Sequence, residues 1–311
     1  MKNFIFSTWL QSGLCIALGY VLLFIGTVNL LAILHPKSRN HRPTRDAIQS
    51  WWPVVIVVAL GTLIGPSVSI LVYSILGAAL AGEAIRLLNL PAERERGYQI
   101  LGALLAILVP ASVVYSPPLA LIVMLLALLI VLPSARMLIV GAEGMFIEVA
   151  PVQWVLFTSI GLTGFSTALV FMQVPGPYSG RGAAFTCFLI TMISDSMQWL
   201  GGKLLGKHPL IPRVSPKKTR EGLLFGITVC SLLGAAIFPG LMQRPAWEGA
   251  IVGCCICMLG TLGDLVASTW KREAGVKDSG TLLPGQGGLL DRCDSLIFVV
   301  PVFWFYIYLA Y

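Results

Sequence analysis

The chain has 311 residues, 57% of them hydrophobic and only 11% charged, with a formal charge of +7. Its mean hydropathy of +0.85 excludes an ordinary soluble domain and places it in a lipid bilayer. The apolar runs lack the alternation of barrel strands, and a backbone in lipid must satisfy its own hydrogen bonds. The expected fold class is therefore all-α, a polytopic transmembrane helical bundle.

A helix needs roughly 20 apolar residues to cross a bilayer. Such runs recur at 12–34, 51–64, 66–85, 99–116, 118–140, 151–172, 183–202, 222–240, 249–267 and 294–311, about ten spans in all. The first run follows a lone Lys2 and has no small-residue cleavage site, so it reads as a retained span. The run 51–64 is short, and a re-entrant segment is the alternative there.

The placement of positive charge argues for topology rather than nucleic acid. Of 21 Lys and Arg, 17 fall in the loops 35–50, 86–98, 203–221 and 268–293. Loops 116–118, 141–150, 173–181 and 241–248 hold only Arg181 and Arg244. The positive-inside rule assigns the four basic loops to the cytoplasm, with both termini outside. It also favours two spans broken at Gly65-Pro66 over one long span at 51–85, because the loops on either side are both basic. Attraction to anionic lipid is a secondary use of the same charge.

In the first half, charged residues have plain explanations. Glu83 and Arg86 are three apart and read as a helix-end ion pair, while Glu143 and Glu148 flank a short loop at the interface. His35, His41 and His208 lie in basic loops with no nucleophile pattern beside them. Cys254, Cys255 and Cys257 sit in an apolar helix without the spacing of a zinc site. The chain divides into N-terminal transmembrane spans at 1–181 and a catalytic transmembrane region at 182–311, within one continuous membrane domain.

From about residue 195 the pattern changes, and eight of the 14 acidic residues follow. Asp195 stands inside an apolar run, where a carboxylate is costly and marks either a functional site or a polar link between helices. The loop after it carries Gly202-Lys203, Gly206-Lys207 and then Ser215-Pro216-Lys217-Lys218-Thr219. Ser-Pro favours a turn that presents hydroxyls and ammonium groups to a phosphate.

Asp264 follows Gly263 and is four residues before Ser268, hence on the same helical face, with Lys271 and Arg272 about one turn further on. Asp291 and Asp294, three apart, can share a face at the start of the last run. Capping of a helix N-terminus would explain one of these acids. It does not explain three aspartates beside two cationic clusters. Magnesium needs only one or two carboxylates when substrate phosphates complete its shell. Three converging carboxylates are also enough to bridge two metals.

The run Ser268-x-x-Lys271-Arg272, Lys277-Asp278-x-Gly280, then Pro284-Gly285-Gln286-Gly287-Gly288-x-x-Asp291-Arg292-x-Asp294 resembles the signature of the phosphatidate cytidylyltransferases, or CDP-diglyceride synthases. Asp195-Ser196, Gly202-Lys203, Gly206-Lys207 and Ser215-Pro216-x-Lys218-Thr219-x-Glu221-Gly222 are similar to a second region of that family. The resemblance covers residues 195–299. It implies transfer of the cytidylyl group of CTP to phosphatidic acid, giving CDP-diacylglycerol and pyrophosphate.

What the resemblance implies for the site is specific. Asp264 and Asp291 would hold Mg2+ with Asp294 in support and Asp278 a further candidate. Lys271, Arg272 and Lys277 would meet nucleotide or pyrophosphate oxygens, and Ser215, Lys217, Lys218 and Thr219 would bind phosphate. Asp195 would position a reacting group, while Ser268, Gln286 and Arg292 complete the substrate-binding set. A second metal, a monovalent ion included, stays open. The implied partners are CTP, phosphatidic acid or a related lipid phosphate, and membrane lipid, with no nucleic acid and a homodimer as one option. The implied location is the bacterial inner membrane, with the active site on the cytoplasmic side.

Two positions depart from the family pattern. Gln286 stands where His is usual, and an amide cannot exchange a proton near neutral pH. Gln198 stands where a small residue is usual. Both suggest a divergent paralogue. A related CTP-dependent enzyme acting on another lipid, and a paralogue that binds without turnover, are the alternatives. A transporter fits less well, because the charges lie at helix ends rather than at the midplane.

Overall fold

A computed structural model describes residues 60–62, 66–175, 179–280 and 287–311. The expected span at 12–34, most of the one at 51–64, and Gln286 lie outside the described residues. The described chain forms the helices α1 (Pro66–Arg86), α2 (Ala92–Val113), α3 (Pro117–Val140), α4 (Met145–Phe171) and α5 (Ser179–Leu205). After a short ribbon come α6 (Arg220–Leu241), α7 (Ala246–Glu273), α8 (Leu290–Cys293) and α9 (Leu296–Ala310).

Local chemistry sets the helix ends. Pro117 and Pro118 begin α3, where a missing N–H costs nothing. Glu93 and Glu95 sit in the first turn of α2, and Lys271 and Arg272 in the last turn of α7, each favourable to the helix dipole. Thr219 caps α6 by accepting the Gly222 N–H at 3.1 Å. A π-helical segment at Ala127–Val131 runs through the middle of α3.

Six helices, α1 to α4 with α6 and α7, are long and apolar enough to cross a membrane, so the protein is an all-α polytopic membrane protein. That is six among the described residues, against the ten expected. Two of the others correspond to α5, which is long but carries Arg181, Asp195 and Lys203, and to α9, an apolar helix of 15 residues. At 1.5 Å per residue α9 reaches only about 22 Å, short of a bilayer core of about 30 Å.

The bundle centres on α4, which is 78% buried along its most apolar stretch. Helices α1 and α2 pack on one side of it and α5 and α9 on the other. Helix α3, 22% buried, presents most of its apolar surface outward. Helices α6 and α7 approach through glycines, as small residues permit between membrane helices. A Cβ on Gly234 would stand 2.0 Å from the Gly249 carbonyl oxygen.

One end of the bundle gathers the basic loops that lie among the described residues. Arg94 at the start of α2 pairs with Glu148 at the start of α4 at 2.6 Å, and Arg136 near the end of α3 reaches the same carboxylate at 3.2 Å. Tyr98 donates to it at 2.7 Å. The charge-poor loop 141–150 therefore lies at the same end as the basic loop 86–98, with its acid neutralised by arginines from two helices. In place of a plain loop, residues 209–219 form an antiparallel ribbon of β1 (Pro209–Ile211) and β2 (Ser215–Thr219), the one departure from all-α among the described residues.

Candidate active site

Two cavities of similar size open at this end. One, about 510 Å³, lies between α1, α4 and the end of α7 and is lined largely by apolar side chains around Trp154 and Trp270. The other, about 500 Å³, is enclosed by α5, β2, the start of α6, the end of α7 and the α8 turn. Its wall carries Asp195, Lys217, Lys218, Thr219, Asp264, Asp291, Arg292 and Asp294, together with Lys203. Chemistry distinguishes them: only the second brings carboxylates and ammonium groups together.

The two densest motifs meet there as ion pairs. Lys218, projecting from β2, stands 2.6 Å from Asp264 of α7. Lys271, one helix face further along α7, stands 2.5 Å from Asp291 of α8 and is buried. Ser268 donates to Asp264 at 3.1 Å, so the four-residue spacing does share a face as expected. Ser295 donates to Asp195 at 2.8 Å and ties the middle of α5 to the α8–α9 turn.

The backbone comes close where glycines allow it. A Cβ on Gly263 would lie 2.4 Å from the Asp294 carbonyl oxygen, so α7 touches the α8–α9 turn directly beside Asp264. Gly287 adopts φ +88°, a conformation that suits glycine, and a Cβ there would meet the Asp291 carboxylate at 2.4 Å.

The three signature aspartates have different environments. Asp291 Oδ1 takes the Lys271 ammonium, while Oδ2 accepts the N–H groups of Ser279 and Gly288, each at 2.8 Å, and the Ser279 hydroxyl at 2.9 Å. Burial works against its charge, but Lys271 and the two backbone donors outweigh that and hold the carboxyl below its usual range. Asp294 is buried, and burial together with the charges of Asp264 and Asp195 pushes its carboxyl well above the usual range. Asp264 is less enclosed, with its side chain 27% exposed.

Not every expected residue reaches the cavity. Arg272, Lys277 and Asp278 are exposed and do not line it, Lys271 and Ser268 lie behind its wall against Asp291 and Asp264, and Ser215 sits at the start of β2 outside it. The oxygen of Thr219 is engaged in the α6 cap, leaving its hydroxyl proton to donate.

Three residues named from the sequence, but not as site residues, take part in or support the site. Gln198 joins the cavity wall, donating to Ser194 at 2.9 Å and accepting from Thr261 at 2.9 Å. Lys203 extends over the Trp199 ring at 5.1 Å. Glu83 corrects an expectation outright: its partners are not Arg86. The Glu83 carboxylate accepts the Leu289 N–H at 2.8 Å, the Leu290 N–H at 3.1 Å and the Ser279 hydroxyl. The three-residue spacing to Arg86 concealed this, because nothing local marks a partner some 200 residues away.

A model described as "Cytidylyltransferase family" matches residues 45–310. The chain is 36% identical over 184 residues to the "Uncharacterized protein YnbB" of Escherichia coli, covering 58% of this chain and 61% of that protein. It is 45% identical over 117 residues to a "Phosphatidate cytidylyltransferase" of Staphylococcus epidermidis, covering 37% and 45% of the two chains. A protein of the same name from Mycobacterium leprae is 38% identical over 143 residues, covering 45% and 43%. The chain thus spans about three fifths of the first relative and less than half of the other two. With the family model covering most of its length, the chain belongs to the cytidylyltransferase family.

Proposed function

We propose that this protein transfers the cytidylyl group of CTP to phosphatidic acid, releasing pyrophosphate and leaving CDP-diacylglycerol in the membrane. The observation that carries the reading is the pair of lysine–aspartate contacts, Lys218–Asp264 and Lys271–Asp291, which set Lys218, Asp264 and Asp291 on one cavity wall beside Arg292, with Lys271 buried behind it. Names borne by partly matching relatives support it.

The chemistry requires no protein nucleophile. An oxygen of the lipid phosphate forms a bond to the α-phosphorus of CTP, and the bond to the oxygen bridging the β-phosphate breaks. The barrier is repulsion between anions and charge accumulating on pyrophosphate, which fixed cations lower. Lys218, Lys271, Lys217 and Arg292 supply these cations, and each lysine is held by a carboxylate or the cavity rim until phosphate competes for it. Helix ends place the site where a lipid headgroup can reach it while its chains stay in the bilayer. By the positive-inside rule this is the cytoplasmic end of a bacterial inner-membrane protein.

Mg2+ is the cofactor the reaction would use. Among the described residues no three Asp, Glu, His or Cys side chains are set to enclose a metal. The donor set nonetheless fits an ion that keeps waters and takes one or two carboxylates with substrate phosphates. Asp264 and Asp294 would hold it, since Asp294 is buried against other negative charges that a cation would offset. Asp291, engaged by Lys271 and by the Ser279 and Gly288 N–H groups, could join only when Lys271 leaves it. When bound, the ion neutralises developing phosphate charge.

The test is direct. Purified protein in mixed micelles with Mg2+, radiolabelled CTP and phosphatidic acid should yield lipid-extractable label, and Asp291→Asn should not. No label from wild type, beside an active control enzyme, would overturn the reading. A panel of other lipid phosphates and lipid alcohols would then separate a different acceptor from a binding-only paralogue. Gln286→His would test whether the missing imidazole limits the rate.

A further inference from the structure

Glu83 is a buried carboxylate on α1, in the part of the chain that carries no signature motif. Every partner given above belongs to the loop that ends in Asp291. Oε1 accepts from Ser279 and from the Leu290 N–H, and Oε2 accepts from the Leu289 N–H. Leu289 and Leu290 open α8, where backbone N–H groups have no partner within the helix. Ser279 is the shared element, its hydroxyl lying between Glu83 and Asp291.

The loop is also shaped around this carboxylate. A Cβ on Gly288 would fall 1.8 Å from Glu83 Oε1, and one on Gly280 would lie 3.1 Å from Glu83 Cδ. Two glycines of the signature thus stand where the chain must pass against Glu83. A residue that merely neutralised Arg86 would impose no such shape.

We propose that Glu83 is a positioning residue for cytidylyl transfer, holding Ser279 and the Leu289–Leu290 backbone so that Asp291 meets Lys271. This rests on the function proposed above. Glu83 does not line the cavity and acts through Ser279 and the backbone at the start of α8. Substitution by Gln shows why a carboxylate is required. An amide offers one acceptor, so a donor faces a donor at Leu289 or at Leu290. The loop loses directed bonds while the side chain's volume is kept.

The experiment uses the full chain in mixed micelles and compares Glu83→Gln, Ser279→Ala, the double variant and Arg86→Gln. Glu83→Gln should lower kcat about 10- to 100-fold, the effect of about 1–3 kcal/mol of lost buried hydrogen bonding. The KM for CTP should stay within about threefold, since the phosphate-facing lysines remain. The double variant should be far less impaired than the product of the singles, because both break one chain of contacts. Arg86→Gln should match wild type. Hydrogen exchange at the Leu289 and Leu290 amides should quicken in Glu83→Gln, with α1 unchanged.

A Glu83→Gln kcat within twofold of wild type, or losses that multiply in the double variant, would overturn the proposal. If Glu83→Gln does not purify as a monodisperse species, Ser279→Ala decides the same question through its own kcat loss. If wild type makes no labelled lipid, the cytidylyl reading fails, and exchange at Leu289 and Leu290 still decides the clamp: unchanged rates would sink it.

Discussion

Lys218 reaches Asp264 across the gap between the β-ribbon and α7, ammonium to carboxylate at 2.6 Å. The two residues belong to different motifs, and the contact joins a candidate phosphate-binding ribbon to a candidate metal ligand. Their side chains are 20% and 27% exposed, open enough for solvent to screen the pair. Such a pair contributes roughly 0.2–1 kcal/mol to stability. Lys218→Ala should therefore leave the melting temperature in detergent within a few degrees of wild type while cytidylyl transfer falls at least tenfold. A large drop in thermal stability would make the lysine structural instead.

The Lys271–Asp291 pair should behave oppositely. Both side chains are only 10% exposed, and removing one partner strands a buried charge at a cost of about 3–5 kcal/mol. Asp291→Ala and Lys271→Ala should each lower thermal stability and abolish turnover. Replacing both together by Leu and Met should recover the part of the loss due to the stranded charge, while the Ser279 and Gly288 N–H groups stay unpaired, and none of the turnover. Thermal unfolding of the three variants, followed in one detergent, checks this.

The same pair gives a pH signature. The Asp291 carboxyl is held below its ordinary value of 3.8 in the folded protein. A depressed pKa contributes stability that is present above the unfolded value and lost as pH falls through the folded one. Stability should thus be insensitive to this group from neutral pH down to about 4 and decline below it. Asp291→Asn should start lower and lack that acid limb, as read from melting temperatures between neutral pH and pH 3.

Two glycines should resist substitution for different reasons. Gly263→Ala would drive a methyl into the Asp294 carbonyl oxygen and part α7 from the α8–α9 turn. Gly287→Ala would strain a residue at φ +88° by roughly 1–2 kcal/mol and press on Asp291 as well. Both should lose most cytidylyl transfer. Gly240→Ala, at a helix position with open space around it, should be neutral and serves as the control.

Some of this was written locally in the chain. The membrane class followed from hydropathy, because lipid admits only closed backbone structures. Asp264 and Ser268 could be placed on one face because helical spacing is local. The signature from Ser268 to Asp294 contains Asp291, Arg292 and Asp294 of the cavity wall. Other features were not legible. Lys218 and Lys271 were expected to face substrate, yet each contacts an aspartate of another element, and only packing could pair them. Arg272, in the last turn of α7, and Lys277 and Asp278, in the loop after it, are exposed and fall outside the cavity wall.

The division of labour is clearest at Asp291. Its sequence neighbours fix its chemistry: glycines that let the backbone approach, an arginine next to it and a second aspartate one turn on. Its orientation is decided by Ser279, Lys271 and Glu83, which arrive from three other points along the chain. Sequence by itself determined the class of molecule and the residue types available for phosphate chemistry, since hydropathy and spacing are properties of neighbours. Tertiary structure decided which carboxylate each lysine meets and which helix secures the loop, because those bonds span distances that no local pattern encodes.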